Sequence, residues 1–170
     1  MLTRQFSVPK EPTTRLTRTV TLNAAFLQEI KEVNGELWEV IAKLQQKCAA
    51  PISMRLARPQ LIDQLEMLRD LLGLQFTLEE AYGYFDSPAD VQLSFSSRVE
   101  TLREEHETLY KHLIDICDEA DMLLRAGKLA ELTTIVPIAF DRFFQELESH
   151  ERRECELIVE SACTDFGVGD

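Results

Sequence analysis

The sequence predicts an all-α fold, an antiparallel up-down-up-down four-helix bundle. Apolar residues recur at steps of three and four along four separate segments, which is the period of an α-helix. Only 6 glycines and 6 prolines occur among 170 residues, too few for the many tight turns of an all-β protein. Segments of roughly 25 to 30 residues with short connections are typical of such bundles.

The first two helices are predicted in the N-terminal half of the chain. One extends from about Leu22 to Ala49 and ends there because Pro51 cannot continue a helix. The next begins near Pro59, a residue favoured in a first helical turn, and continues to about Tyr82. The sequence GYFDSPAD then separates the two halves of the chain.

The last two helices are predicted in the C-terminal half. The third takes in Val99 to Leu124 and stops at the Ala-Gly-Lys sequence of 126–128. The fourth opens around Leu132–Pro137, where the proline is tolerated in a first turn, and ends near Cys163. The chain is therefore divided into a flexible N-terminal arm at 1–20, a bundle at 21–163 and a frayed tail at 164–170.

Charge and hydropathy limit the classes of partner. The chain has 18 basic and 30 acidic residues, a net charge of −12, so it lacks the basic face that phosphate binding requires and nucleic acid is not expected. No run of 18 apolar residues occurs and the N-terminus lacks the apolar core of a signal peptide. We therefore expect a cytoplasmic protein without a membrane partner. Its oligomeric state is left open.

Polar residues interrupt the apolar stripe of every predicted helix, at positions where an uncompensated polar group would be costly. The six interruptions, in chain order, are Asn34, Gln75, Glu79, His106, His150 and Glu154. The acidic runs that include Glu105 and Glu151, and the off-stripe His112, are interpreted as solvated surface instead.

The six interruptions repeat with similar spacing in the two halves of the chain. Gln75 follows Asn34 by 75 − 34 = 41 residues, His150 follows His106 by 150 − 106 = 44, and a glutamate comes four residues after each. This indicates a duplicated helical hairpin. Residues four apart share a helix face, so each pair points at the bundle axis.

Two imidazoles and two carboxylates converging in a core have the composition of a metal site, because a cation offsets the cost of burying carboxylates. The alternative is a buried hydrogen-bonded network in which Glu79 and Glu154 pair with protonated His106 and His150. An isolated histidine on an apolar face more often belongs to such a network. The duplicated spacing favours the metal site.

These motifs resemble the hemerythrin-like (HHE cation-binding) family, and within it the symmetric branch that includes the repair-of-iron-centres di-iron proteins. The family pattern is a histidine on the first and third helices and His-x-x-x-Glu on the second and fourth. The sequences LREEHETLYKHL and FFQELESHERRECELI match the third and fourth motifs, and EIKEVNGELWEVI and LLGLQFTLEEAYGYF match the first two with substitutions. The resemblance covers about residues 22 to 160.

In that family the histidines are terminal ligands of two irons and the glutamates bridge them. The resemblance therefore implies that His106 and His150 hold one metal ion, with Glu79 and Glu154 bridging or binding it. This ligand set suits non-haem iron and also zinc or manganese.

The first half of the chain departs from the family pattern. Asn34 and Gln75 stand where the imidazoles of the second metal are expected, and carboxamides are poor ligands for iron. The leading hypothesis is therefore a degenerate hemerythrin-like site that binds one metal ion, or an incomplete pair, and acts in sensing, binding or iron handling rather than turnover. A small diatomic molecule is the further ligand that this hypothesis allows.

Two other hypotheses remain open. The first is a metal-free degenerate bundle that serves as an interaction or scaffold module and takes no cofactor. The second is a non-haem iron enzyme that uses the vacated half as a substrate pocket, which requires an open cavity beside Asn34 and Gln75.

Overall fold

A computed structural model describes residues 24–49, 58–81 and 93–165, and this part of the chain is built from four α-helices. They are α1 (Ala24–Cys48), α2 (Arg58–Ala81), α3 (Leu93–Arg125) and α4 (Leu129–Asp165). The all-α four-helix prediction is confirmed. The arm predicted at 1–20 lies outside the described residues, as does the predicted tail beyond Asp165.

Side-chain contacts give the direction of α3 against α4. Arg98, Glu105 and His112 of α3 pair in that order with Glu160, Arg153 and Glu146 of α4. The residue numbers rise by seven along one helix and fall by seven along the other, so the two helices are antiparallel. A seven-residue step is about two helical turns, which keeps the contacts on one seam.

The helices α2 and α3 are also antiparallel. Gly73 lies against Tyr110, and further along the pair Glu79 lies close to His106. Helix α1 packs mainly along α2 and also touches α4. The main core between the helices is apolar, and its fully buried members include Leu37, Leu44, Leu65, Leu68, Leu72, Leu113, Phe140 and Leu147.

The connection between α3 and α4 is a tight helix stop. Gly127 has φ +69°, the left-handed conformation that glycine adopts without a Cβ clash. Its amide donates to the Leu124 carbonyl at 3.0 Å and the Lys128 amide donates to the Leu123 carbonyl at 3.0 Å. This pair of bonds is a Schellman cap, which places the start of α4 directly beside the end of α3.

The predicted start of the fourth helix is wrong. Helix α4 begins at Leu129, so Pro137 lies inside it rather than in its first turn. Proline has no N–H to donate back along the helix, and two threonines of the preceding turn bond to backbone carbonyls nearby. Thr133 Oγ1 donates to the Leu129 carbonyl at 3.0 Å and Thr134 Oγ1 donates to the Ala130 carbonyl at 2.9 Å.

Within the described residues, no helix is both long and apolar enough to cross a membrane.

Candidate metal centre

Two glutamate side chains and one histidine side chain meet between α2, α3 and α4. Glu79, His106 and Glu154 each offer one ligand atom, and these atoms all lie within 4.8 Å of one another. All three residues are at most 5% exposed. His150, the fourth predicted ligand, is 1% exposed, and its ring centroid lies 4.9 Å from that of His106. The structure therefore gathers three predicted ligands around one point and places the fourth beside them.

The two predicted substitution sites differ in their surroundings. Gln75 is 2% exposed and its Nε2 donates a hydrogen bond to Glu79 Oε1, which joins it to the cluster. Asn34 is only half-buried on α1, and in the part of the chain that the structure describes it makes no hydrogen bond to the other five residues. Gln75 therefore belongs to the buried cluster through its contact with the Glu79 carboxyl group, whereas Asn34 lies apart from it.

Each core histidine is held from outside by a second glutamate. His106 Nδ1 lies 2.9 Å from Glu80 Oε1, and His150 Nδ1 lies 3.0 Å from Glu105 Oε2. A carboxylate only accepts hydrogen bonds, so in both rings Nδ1 carries the proton and donates. The Nε2 atoms then have lone pairs, and His106 Nε2 faces Glu79 Oε2 at 3.6 Å. Carboxylates hold metal-binding histidines in this way.

Phe76 also restrains the His106 ring, by packing against its face. The two rings are stacked with centroids 4.0 Å apart and planes 7° from parallel, and Phe76 also meets the edge of the His150 ring at 5.7 Å. Phe76 is 5% exposed. Hydrogen bonding to Glu80 along one ring edge and stacking of Phe76 on one face leave the imidazole of His106 little freedom to rotate.

Several buried polar atoms of the cluster have no hydrogen-bond partner among the described residues. They are Gln75 Oε1, Glu79 Oε2, His150 Nε2, Glu151 Oε1 and Glu154 Oε1. Each such group costs about 1–3 kcal/mol when it is buried without a partner. A cation bound between them would accept their lone pairs and offset that cost, so the donor set fits a metal ion.

The electrostatics oppose a network of ionised pairs. Burial, followed by the charge of Glu154, raises the pKa of Glu79 to about 9, and burial followed by the charge of Glu151 raises the pKa of Glu154 to about 8. Burial also lowers the pKa of His106 and of His150. All four groups are therefore shifted toward their neutral forms in the metal-free protein, which disfavours the alternative in which protonated histidines pair with ionised glutamates.

The interpretation of Glu105 and Glu151 as solvated surface is wrong. The side chain of Glu105 is 26% exposed because it reaches across the α3–α4 seam to His150, and Arg153 donates to its other oxygen. Burial raises the pKa of Glu151, whose Oε1 is enclosed beside the cluster. Glu80 was also missed, since its position next to Glu79 gives it no place on the apolar stripe. The prediction for His112 is confirmed: its side chain is 44% exposed and bonds Glu146.

Two surface grooves reach the cluster from opposite sides of α3. A cavity of about 740 Å³ between α2 and α3 has His106 in its wall, and one of about 480 Å³ between α3 and α4 has His150 in its wall. Neither groove is lined by Asn34 or Gln75, so neither supplies the substrate pocket that the enzyme hypothesis requires in the vacated half.

Comparison of the chain with protein-family models, with curated proteins and with solved structures finds no match.

Proposed function

We propose that this protein binds one divalent metal ion, iron or zinc, between its helices and acts as a hemerythrin-like binding or sensing protein. The proposed ligands are Glu79, His106, His150 and Glu154. Imidazole and carboxylate together suit both metals. The bound ion would supply an electrophilic centre at which a small diatomic molecule could coordinate, and the chain supplies the oriented ligands around it.

One observation carries the proposal. The lone pairs of Glu79, His150 and Glu154 are buried among apolar residues without hydrogen-bond partners in the described part of the chain, while the outer nitrogens of both histidines are anchored by glutamates. A purely structural core would be more stable with apolar residues at these positions, because buried ionisable groups rarely stabilise a fold. Outer anchoring with inner lone pairs is the arrangement that orients imidazole ligands toward a metal.

The test is the metal content and the metal-dependent stability of the whole chain. Protein purified without chelator is expected to hold close to one iron or zinc per chain. Added Zn²⁺ or Fe²⁺ at about 100 times its Kd should raise the free energy of unfolding by about 2.7 kcal/mol, because the ion binds only the native state. For a chain of this size that is a rise in Tm of about 5–10 °C.

Histidine variants supply the controls. His106→Ala and His150→Ala should lose both the bound metal and the rise in Tm. His112→Ala removes the histidine that pairs with Glu146 at the surface. This variant should keep both the bound metal and the rise in Tm. Absence of stoichiometric metal together with an unchanged Tm on metal addition would reject the proposal and favour the metal-free scaffold.

A further inference from the structure

A chain of contacts leads from the protein surface to His150. The guanidinium of Arg153 donates from Nη1 to Glu105 Oε1, and the other oxygen of that carboxylate accepts the His150 Nδ1 hydrogen bond at 3.0 Å. Arg153 is itself steadied by a bond from its Nε to the Ser149 carbonyl at 3.2 Å. The contacts cross from α4 to α3 and return to α4.

The carboxylate in this chain is fixed at both of its oxygens. With Oε1 on a guanidinium and Oε2 on an imidazole, Glu105 cannot turn without breaking a charge-assisted hydrogen bond. Its anchoring therefore determines which nitrogen of His150 carries the proton. That choice leaves the Nε2 lone pair of His150 on the buried side of the ring, where no described residue donates to it.

Glu80, the glutamate that accepts the hydrogen bond of His106, is not held by an arginine of the described helices in the way that Glu105 is. The Glu80 side chain is 47% exposed, and among the described residues no lysine or arginine pairs with it. Phe76 stacks on the His106 ring instead, at 4.0 Å between centroids. The two histidines are thus oriented by different contacts. Phe76 packs on the ring of His106, whereas the ion pair of Arg153 with Glu105 supports His150.

We infer that Arg153 is a positioning residue of the metal centre: through Glu105 it holds His150 in the Nδ1-protonated tautomer with Nε2 available to a divalent cation. The inference rests on the proposed function for its effect on metal affinity, but its effect on the tautomer exists in the metal-free protein. The side-chain contacts of Arg153 are with the Glu105 carboxylate and the Ser149 carbonyl, so any effect on the proposed ligands acts through Glu105.

The test compares Arg153→Gln with Arg152→Gln in the full-length chain. Arg152 is the exposed neighbour in sequence, so its replacement changes the net charge equally and leaves the Glu105 contacts in place. The tautomer of His150 is read from the ¹⁵N resonances of its imidazole in the metal-free protein, with assignment by His150→Ala. Zinc affinity is measured by competition with a chromophoric chelator at one pH and ionic strength.

We expect Arg153→Gln to replace the single Nδ1-protonated signature of His150 by a mixture of tautomers and to weaken zinc binding about 10-fold, the lower end of the loss typical for outer-sphere partners. Its Tm without metal should stay within about 3 °C of wild type, because an ion pair that is partly open to solvent contributes little to stability. Arg152→Gln should match wild type in all three measurements.

Two results would overturn the inference, and both are distinct from failure of the proposed function. An unchanged His150 spectrum in Arg153→Gln would show that Glu105 holds the His150 tautomer without Arg153. Equal zinc affinities of the two arginine variants would show that the Arg153–Glu105 ion pair does not affect metal binding. Wild-type protein that binds neither zinc nor iron would reject the proposed function alone, and the spectrum of the metal-free variants would still decide the role of Arg153.

Discussion

Replacing Glu154 by glutamine is expected to stabilise the metal-free protein at neutral pH, even though it removes a proposed ligand. Burial and the nearby charge of Glu151 raise the pKa of Glu154 from 4.5 to about 8. The folded protein therefore binds a proton that the unfolded chain has already released. Folding stability from this group is complete below pH 4.5 and is lost as the pH rises toward 8.

The size of the effect follows from the two pKa values. At pH 7.5, which is about 3 pH units above the pKa of the carboxyl in the unfolded chain, that carboxyl is fully ionised. In the folded protein the same carboxyl is still largely protonated. At about 1.4 kcal/mol per pH unit, keeping the Glu154 carboxyl protonated in the folded state lowers the free energy of unfolding by about 4 kcal/mol. Glutamine keeps the shape of the protonated carboxyl and does not titrate, so Glu154→Gln should recover most of that free energy, a rise in Tm of about 8–16 °C.

The assay is urea unfolding followed by circular dichroism between pH 4 and pH 8.5, with chelator present. The difference between Glu154→Gln and wild type should be small at pH 4 and should grow with pH. Glu148→Gln alters an exposed carboxyl on the same helix and is expected to stay within about 0.5 kcal/mol of wild type throughout. With saturating zinc the order should reverse, because only wild type gains the full binding free energy. Unfolding curves of Glu154→Gln that parallel wild type at every pH would refute the reasoning.

Three further outcomes are expected. Zinc affinity should rise with pH up to about pH 9, because Glu79 and Glu154 must lose protons to bind a cation, and calorimetry in buffers of different ionisation enthalpy should detect their release. Glu80→Gln should weaken zinc binding about 10- to 100-fold by loosening His106, with little change in the Tm of the metal-free protein; equal affinities would contradict this. Gly127→Ala should lower stability by about 1 kcal/mol in thermal unfolding, since alanine is strained at φ +69°.

The sequence pattern predicted the interior of the bundle better than its seams. Helical periodicity placed Gln75, Glu79, His106, His150 and Glu154 on buried stripes, and all five are at most 5% exposed. This works because a helix buries residues every three or four positions whatever their chemistry. The same rule placed Asn34 on the first stripe, where the residue is only half-buried.

The glutamates that anchor the histidines were not predictable by that rule. Glu80 and Glu105 each lie one residue from a core position, so periodicity assigns them to solvent. They bond to His106 and His150 because a buried imidazole has two nitrogens on opposite sides of the ring. When one nitrogen faces the bundle axis, the other faces the seam between two helices, where a flanking side chain can reach it.

This relation between core and seam bears on the stoichiometry of the proposed metal site. Each core histidine has an outer glutamate partner, whereas Gln75 in the first half of the chain donates its amide N–H to Glu79. The amide donates a hydrogen bond to Oε1 of Glu79 and leaves the other oxygen, Oε2, facing His106 Nε2 at 3.6 Å. Gln75 thus occupies one side of the cluster, and the proposed ligand atoms of Glu79, His106 and Glu154 lie together beside it. A single bound ion, rather than a pair, is the stoichiometry that this arrangement favours.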